Sequence, residues 1–144
     1  MKFIKEMGQI LFYEGGSIII PGETGHVDFP EQLIYDQHKY KPGAIIELEH
    51  THPTGMFELS KRDSDTLKTW SFTMAPYTIK MSTITWDPIL QVFIKSVYSP
   101  LLQPIEEWKK DKTIPRGFEI IRTNVFIVGK NPYDHVLCRE SFEE

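Results

Sequence analysis

The segment AIIELEHTH, residues 44–52, restricts the fold of this chain more than any other part of the sequence. It has the pattern of a β-strand, in which successive side chains point to opposite faces. One face would carry apolar residues that lead to two histidines: Ala44, Ile46, Leu48, His50 and His52. The other face would carry a mixed set that includes two glutamates: Ile45, Glu47, Glu49 and Thr51. The histidines therefore extend an apolar face, which another element of the fold has to cover.

A helix that could cover this face is predicted at residues 60–74, SKRDSDTLKTWSFTM, and it stops before Pro76. Its apolar residues follow helical spacing: Leu67, Trp70 and Met74. Asp63 lies four residues before Leu67 and so falls on the same stripe, one turn nearer the start of the helix. A carboxylate on a stripe that faces a sheet needs a partner, because burial of an unpaired charge is very unfavourable.

Two imidazoles and one carboxylate that converge beneath an apolar layer would meet this need around Zn²⁺. His50, His52 and Asp63 would leave a fourth coordination position for water, which is typical of catalytic zinc sites. Two plainer interpretations compete with this one. The histidines could be hydrogen-bonded to each other, and Ser60 with Asp63 could form a capping box at the helix N-terminus. Ser60 can also cap the helix while Asp63 binds a metal.

The rest of the chain predicts an α+β domain with a mostly antiparallel sheet and one main helix. A hairpin is expected at Gly15–Gly16 and a second turn at Asp87–Pro88. A short helix is expected at 104–111, while 30–38 is either a helical turn or irregular. The predicted strands are 5–13, 17–21, 41–52, 77–86, 89–98 and 117–129. With 144 residues, we expect a single domain over 1–144, in which 100–144 is a C-terminal extension.

Composition excludes several classes of partner. The net charge is −4 and basic residues form no stripe, so we expect no nucleic-acid partner. No apolar run is long enough to span a membrane, and residues 1–16 do not resemble a signal peptide. The single cysteine, Cys138, fits a cytoplasmic location and a packed or surface role. Residues 139–144 are expected to form a solvated tail. Three further histidines have no partners at ligand spacing and are interpreted as ordinary surface or core residues: His26, His38 and His135.

The order of the polar residues resembles the signature of the JAMM (MPN-domain) zinc metalloproteases. That signature is His-x-His, ten residues and then Asp, with a serine three positions before the Asp. Here His50 and His52 are followed by residues 53–62 and then by Asp63, and Ser60 stands at the serine position. The resemblance covers roughly residues 4–98 and implies an α+β core like that of the cytidine deaminases, in a compact member of the family.

The family also places a glutamate on an early strand, close to glycine and apolar residues. The segment EMGQILF looks like that strand, which makes Glu6 the counterpart. Glu14 has the same strand parity and is the alternative, although it adjoins the Gly-Gly turn. Glu47 and Glu49 are excluded because they point to the other face of their strand.

The resemblance implies a zinc metallopeptidase or isopeptidase that hydrolyses an amide bond. Zn²⁺ would be held by His50, His52 and Asp63, Glu6 would be the general base, and Ser60 would donate to the oxyanion. The substrate would be a peptide or a ubiquitin-like protein, with a lysine side chain as a possible leaving amine. Two alternatives stay open: a catalytically silent MPN scaffold, and a zinc amidohydrolase of a small molecule or a cell-wall peptide. The sequence leaves open the oligomeric state and the bond that is cut.

Overall fold

The computed structural model describes residues 1–23, 25–35, 43–74, 77–101 and 119–144. In this part of the chain the strands are β1 (Lys2–Phe3), β2 (Met7–Phe12), β3 (Ser17–Pro21), β4 (Ile45–Thr51), β5 (Thr78–Asp87), β6 (Val92–Pro100), β7 (Ile120–Gly129) and β8 (Phe142–Glu143). The helices are α1 (Gln32–Tyr35), α2 (Lys61–Thr73) and α3 (Val136–Ser141), with a 3₁₀ helix at Pro132–Asp134. The helix expected at 104–111 and the residue His38 lie outside the described residues.

Six of the strands form one mixed sheet, in the order β3-β2-β4-β5-β6-β7. Only β4 and β5 run parallel, and α2 forms the crossover between them, as a parallel pair requires. The other four pairs in this sheet are antiparallel. The prediction of an α+β fold with a mostly antiparallel sheet and one main helix is therefore confirmed.

The main core lies between α2 and one face of the sheet. Ser60 caps the helix, and the helical stripe buries Leu67, Trp70 and Met74 against the sheet, as the spacing predicts. The sheet contributes apolar residues from β2, β4 and β5 to this core: Ile10, Phe12, Ile46, Leu48, Ile79 and Met81. The face of β4 that carries the histidines is the face that α2 covers.

The opposite face of the sheet is partly covered by α3 and by the two ends of the described chain. β1 and β8 pair as a separate two-stranded sheet. Phe142 packs edge-on against Phe3 and Phe93, with ring centroids 5.4 and 5.0 Å apart. The expectation of a solvated tail at 139–144 is wrong for Ser141 and Phe142, which are buried under the sheet, whereas the four charged residues of the segment are exposed. The acidic composition of this segment suggested exposure, whereas Phe142 anchors it to the sheet.

The segment at 30–38, left open by its sequence, contains the single helical turn α1 within its described part. No helix among the described residues is both long enough and apolar enough to cross a membrane.

Candidate metal centre

His50, His52 and Asp63 converge at the end of β4 and the start of α2. His50 Nε2 lies 2.8 Å from His52 Nε2 and 3.1 Å from Asp63 Oδ2, and His52 Nε2 lies 3.0 Å from the same oxygen. Alternation along β4 puts both imidazoles on the face under α2, and the first turn of α2 brings the carboxylate to them. Both histidines are buried, and Asp63 is only partly exposed. These three residues form a group that could hold a metal ion.

The tautomer of His52 is set by a backbone acceptor. Its Nδ1 lies 3.2 Å from the carbonyl oxygen of Met56, which can only accept, so Nδ1 carries a proton. In a neutral His52 the lone pair of Nε2 would then face the carboxylate oxygen of Asp63. That contact is stable only with a second proton on His52 or with a cation between the donors. The second ring nitrogen of His50, Nδ1, points away from the cluster contacts made by Nε2 and is buried without a hydrogen-bond partner in the described structure.

The donor set fits a zinc ion. Imidazole nitrogen and carboxylate oxygen are its usual ligands, at about 2.0–2.2 Å from the ion, which places tetrahedral ligands roughly 3.3 Å from one another. The three facing atoms need to separate by only a few tenths of an ångström to reach this spacing. His52 Nδ1–H bonded to a carbonyl is also the outer-shell arrangement typical of zinc-bound histidine.

The protonation of the cluster follows from its hydrogen bonds. Burial disfavours the charged carboxylate, but the hydrogen bonds to His50 and His52 outweigh it and hold the pKa of Asp63 well below its usual range. Burial also disfavours a charged His52, yet the hydrogen bond to Asp63 and the charge of that carboxylate raise the pKa of the imidazole. Without a metal, the cluster is therefore held together as a carboxylate with a proton on His52, and a bound cation would displace this proton.

A tight turn aims the Met56 carbonyl at His52. The amide of Met56 donates to the carbonyl of Pro53 at 3.0 Å, and the amide of Gly55 donates to the carbonyl of Trp86 at 3.0 Å. Gly55 has φ +79°, a conformation that side chains other than glycine rarely adopt. The turn is thus fixed to the end of β5, and with it the orientation of the His52 ring.

The backbone at His52 is fixed from β5 as well. The amide of His52 donates to the carbonyl of Ile84 at 2.9 Å. The buried hydroxyl of Thr85 donates to the carbonyl of Pro53 at 2.7 Å and lies 3.2 Å from that of His52. Two neighbouring residues of β5 therefore hold the point at which β4 ends and the turn begins.

A cavity of about 440 Å³ opens beside the cluster and is lined by His52, Asp63, Glu6 and Ser60 among others. Glu6 is buried just before β2, and burial raises the pKa of its carboxyl group. Glu14, the alternative, is exposed in the hairpin turn between β2 and β3. Of the two glutamates, the structure brings Glu6 to the cavity.

Ser60 forms the capping box that its spacing predicts. Its Oγ accepts from the amide of Asp63 at 3.1 Å, while its own amide donates to Asp63 Oδ2 at 3.1 Å. The cap therefore shares Asp63 Oδ2 with both histidines. Because Ser60 Oγ acts as an acceptor in the cap, its hydrogen can still be donated to a ligand in the cavity.

Sequence reasoning missed a second polar cluster, on the face of the sheet opposite the histidines. Lys95 Nζ lies 2.7 Å from Glu47 Oε2 and 2.5 Å from Glu49 Oε2. His135 Nε2 lies 3.0 Å from Glu49 Oε1, and Gln9 Nε2 donates to the same oxygen at 2.6 Å. Burial opposes ionisation of Glu49, but the hydrogen bonds and charges of His135 and Lys95 together outweigh it and lower the pKa of Glu49 to about 2.

The sequence did contain a sign of this cluster. Strand alternation places Glu47 and Glu49 on one face of β4, and two buried carboxylates need cations beside them. Lys95, in the middle of a predicted strand, was a candidate partner. His135, expected to be an ordinary surface or core residue, pairs with Glu49 and also caps α3, because its Nδ1 accepts from the amide of Leu137 at 3.1 Å.

The cluster at the end of β4 thus combines three metal-type donors, a buried carboxyl group and a hydroxyl around one cavity. No protein-family model, curated protein or solved structure matches this chain. We therefore infer its function from its own residues and their geometry.

Proposed function

We propose that this protein is a zinc-dependent metallopeptidase of the JAMM type, which hydrolyses an amide bond with an activated water. One observation carries the proposal. The nitrogens of His50 and His52 and one oxygen of Asp63 lie 2.8, 3.1 and 3.0 Å apart, beside a cavity that Glu6 also lines. Three protein ligands and an open side are the arrangement of a catalytic zinc site, whereas structural sites use four protein ligands.

Each residue has a chemical role in this proposal. Bound zinc would act as a Lewis acid and lower the pKa of a water molecule towards about 7. The Glu6 carboxylate accepts a proton from the attacking water and passes it to the leaving nitrogen. Ser60 Oγ donates a hydrogen bond to the carbonyl oxygen as that oxygen gains negative charge, while its lone pair keeps the cap on α2.

The resemblance in sequence extends the proposal to the finer fold and the substrate. The β4–α2–β5 crossover, with His50 on β4, His52 just after it and the carboxylate on α2, is consistent with a core like that of the cytidine deaminases. A peptide or a ubiquitin-like protein joined through a lysine is the substrate that the family would suggest. A scaffold without activity is less well supported, because all five signature residues are present and four of them line one cavity.

A zinc amidohydrolase of a small molecule or a cell-wall peptide is the second candidate. The observation in its favour is the cavity of about 440 Å³, which falls within the range of small-molecule sites, about 300–1,000 Å³.

Metal analysis and turnover test the proposal together. Zinc-loaded protein should hold about one zinc per chain, and His52→Ala should lose it, whereas His26→Ala, whose side chain lines the cavity outside the donor group, should retain it. Glu6→Gln should keep zinc but lose nearly all turnover, and Glu14→Gln should stay active. Full zinc content in His52→Ala would exclude the metal site, and an inactive Glu14→Gln beside an active Glu6→Gln would exclude Glu6 as the base.

The substrate class is decided on the same zinc-loaded protein. A panel of peptides, ubiquitin-like isopeptide conjugates and small amides should separate the peptidase from the amidohydrolase. Cleavage of small amides with no action on any peptide would favour the second candidate.

A further inference from the structure

Part of the lining of the cavity beside the metal donors is apolar. Val27 and Phe29, from the segment after β3, line it together with Trp70 of α2 and Met56 of the turn after β4. Gly8 lets this segment lie against β2, because a Cβ at Gly8 would fall 2.7 Å from Val27 and 3.0 Å from Phe29. The apolar wall therefore depends on the absence of a side chain at one position of β2.

This wall adjoins the donor cluster directly. Gly8 pairs with His50 across β2 and β4, so the side chains that pack over Gly8 lie next to that histidine. The ring of Phe29 is 6.2 Å from the ring of His50 and 6.5 Å from that of Trp70, both in edge-on geometry. A group held at the metal donors would consequently have aromatic and aliphatic surface beside it.

The charged residues at the cavity mouth already pair with each other. Arg62 of α2 forms an ion pair with Asp28, and His26 Nε2 lies 3.5 Å from the other oxygen of the same carboxylate. These pairs join the segment after β3 to α2. Because these charges are paired with each other, none of them is a free partner for a charged ligand. The apolar residues of the lining, in contrast, offer surface that a ligand could cover.

We infer that the substrate places a bulky apolar side chain, aromatic or aliphatic, in this cavity, next to the amide bond that is cut. The inference rests on the proposed function and adds a substrate class to it. A cavity of about 440 Å³ is near the lower end of ligand sites, so it suits one side chain with its adjoining backbone. Glycine at that substrate position would leave the exposed parts of Val27, Phe29 and Met56 uncovered.

Two hydroxamates that differ only in an apolar group test this inference on the zinc-loaded protein. Acetohydroxamate and phenylacetohydroxamate offer the same zinc-binding group, and the second adds a phenyl ring. We expect phenylacetohydroxamate to bind about 10-fold or more tightly, since burial of an aromatic side chain is favourable by that order. Binding is measured by calorimetry, so no substrate is needed.

Two variants locate the effect. Phe29→Ala should remove most of the difference between the hydroxamates while acetohydroxamate still binds. Met56→Ala provides a second variant for the case that Phe29→Ala does not fold, because the Met56 side chain is half exposed and its carbonyl stays in place. Ile89→Ala, at the exposed tip of the β5–β6 hairpin, is the control and should leave the difference unchanged.

The outcomes distinguish this inference from the proposed function. Protein that takes up no zinc at the cluster would overturn the proposed function. Zinc-loaded protein that binds the two hydroxamates equally, or binds neither, would overturn the apolar substrate class and leave the metal site standing. An advantage for the phenyl compound that survives in both Phe29→Ala and Met56→Ala would also overturn it.

Discussion

Replacement of Thr85 by valine should weaken zinc binding although Thr85 is not among the metal donors. Its hydroxyl donates to the carbonyl of Pro53 at 2.7 Å and lies 3.2 Å from that of His52. Valine keeps the shape of the side chain but cannot donate, so the Pro53 carbonyl keeps only the Met56 amide as a donor. Loss of one such hydrogen bond typically costs about 0.5–1.5 kcal/mol.

The lost hydrogen bond should weaken zinc binding, because the carbonyls of His52 and Pro53 begin the turn that orients the His52 ring. That turn ends at Met56, whose carbonyl accepts from His52 Nδ1. A loss of about 0.5–1.5 kcal/mol that acted wholly on binding would equal about a 2- to 13-fold change in affinity. Direct loss of an outer-shell partner of metal-bound histidine commonly weakens affinity by about 10- to 100-fold, so the effect of this more distant hydrogen bond should fall at or below the lower end of that range.

The measurement is the zinc dissociation constant by competition with a chelator, together with the free energy of unfolding of the metal-free protein. Thr85→Ser keeps the hydroxyl and should restore most of the affinity, whereas Thr85→Val should not. The reasoning would be refuted by a Thr85→Val protein that unfolds more easily but binds zinc as tightly as the wild type. The hydroxyl would then support the fold alone.

Three further predictions concern other residues. Ser60→Ala should lower the free energy of unfolding by about 1 kcal/mol through the lost cap, and lower kcat by about 10²-fold or more with zinc retained. Ser60→Asp should cap the helix well and yet be less active still; an active Ser60→Asp enzyme would show that Ser60 only caps the helix. Lys95→Met should lower the free energy of unfolding by about 3–5 kcal/mol in denaturant titrations, because Glu47 and Glu49 lose their shared cation; an unchanged midpoint would contradict this. Burial raises the pKa of the Cys138 thiol from 9.0 to about 12, so the native thiol should react with iodoacetamide at pH 8 only on unfolding. The free energy of unfolding should fall as pH rises from 9 to 12, because the unfolded thiol ionises in this range and the native thiol does not. Rapid labelling of native protein would contradict the burial of this thiol.

The features that sequence predicted well are those set by local pattern. The helix predicted at 60–74 is α2, Lys61–Thr73, with the predicted cap at Ser60. The hairpin around Gly15–Gly16 joins β2 to β3 as expected. Alternation along β4 placed the histidines and glutamates on opposite faces, which the contacts with Asp63 and with Lys95 confirm. Each of these features depends on residues a few positions apart in the chain.

The features that sequence did not predict depend on distant residues. Nothing local indicates that β1 pairs with β8, and the parallel pairing of β4 with β5 was not predicted although a helix separates the two strands. Glu49 meets Lys95 and His135, which are far from it in sequence and reach it only after the sheet has formed. No strand or helix was predicted at 22–29, although Val27 and Phe29 of this segment line the cavity, and Phe29 lies beside His50.

Both faces of β4 are occupied, and this would shape the result of a mutational scan along the strand. Substitutions at His50 and at His52, just beyond the strand, would remove metal from a folded protein, whereas substitutions at Glu47 and Glu49 would unfold a protein whose donors are intact. Ile46 and Leu48 share the face of the histidines but belong to the core, so substitutions there would also unfold the protein, and loss of metal from a folded protein would be confined to the end of the strand. A slip of β4 by one residue against its neighbours would exchange its faces, so that carboxylates replace imidazoles under α2 and both phenotypes appear at once. A change in chain length after Met56 and before Ser60 would leave both the register of β4 and the turn that orients His52 in place.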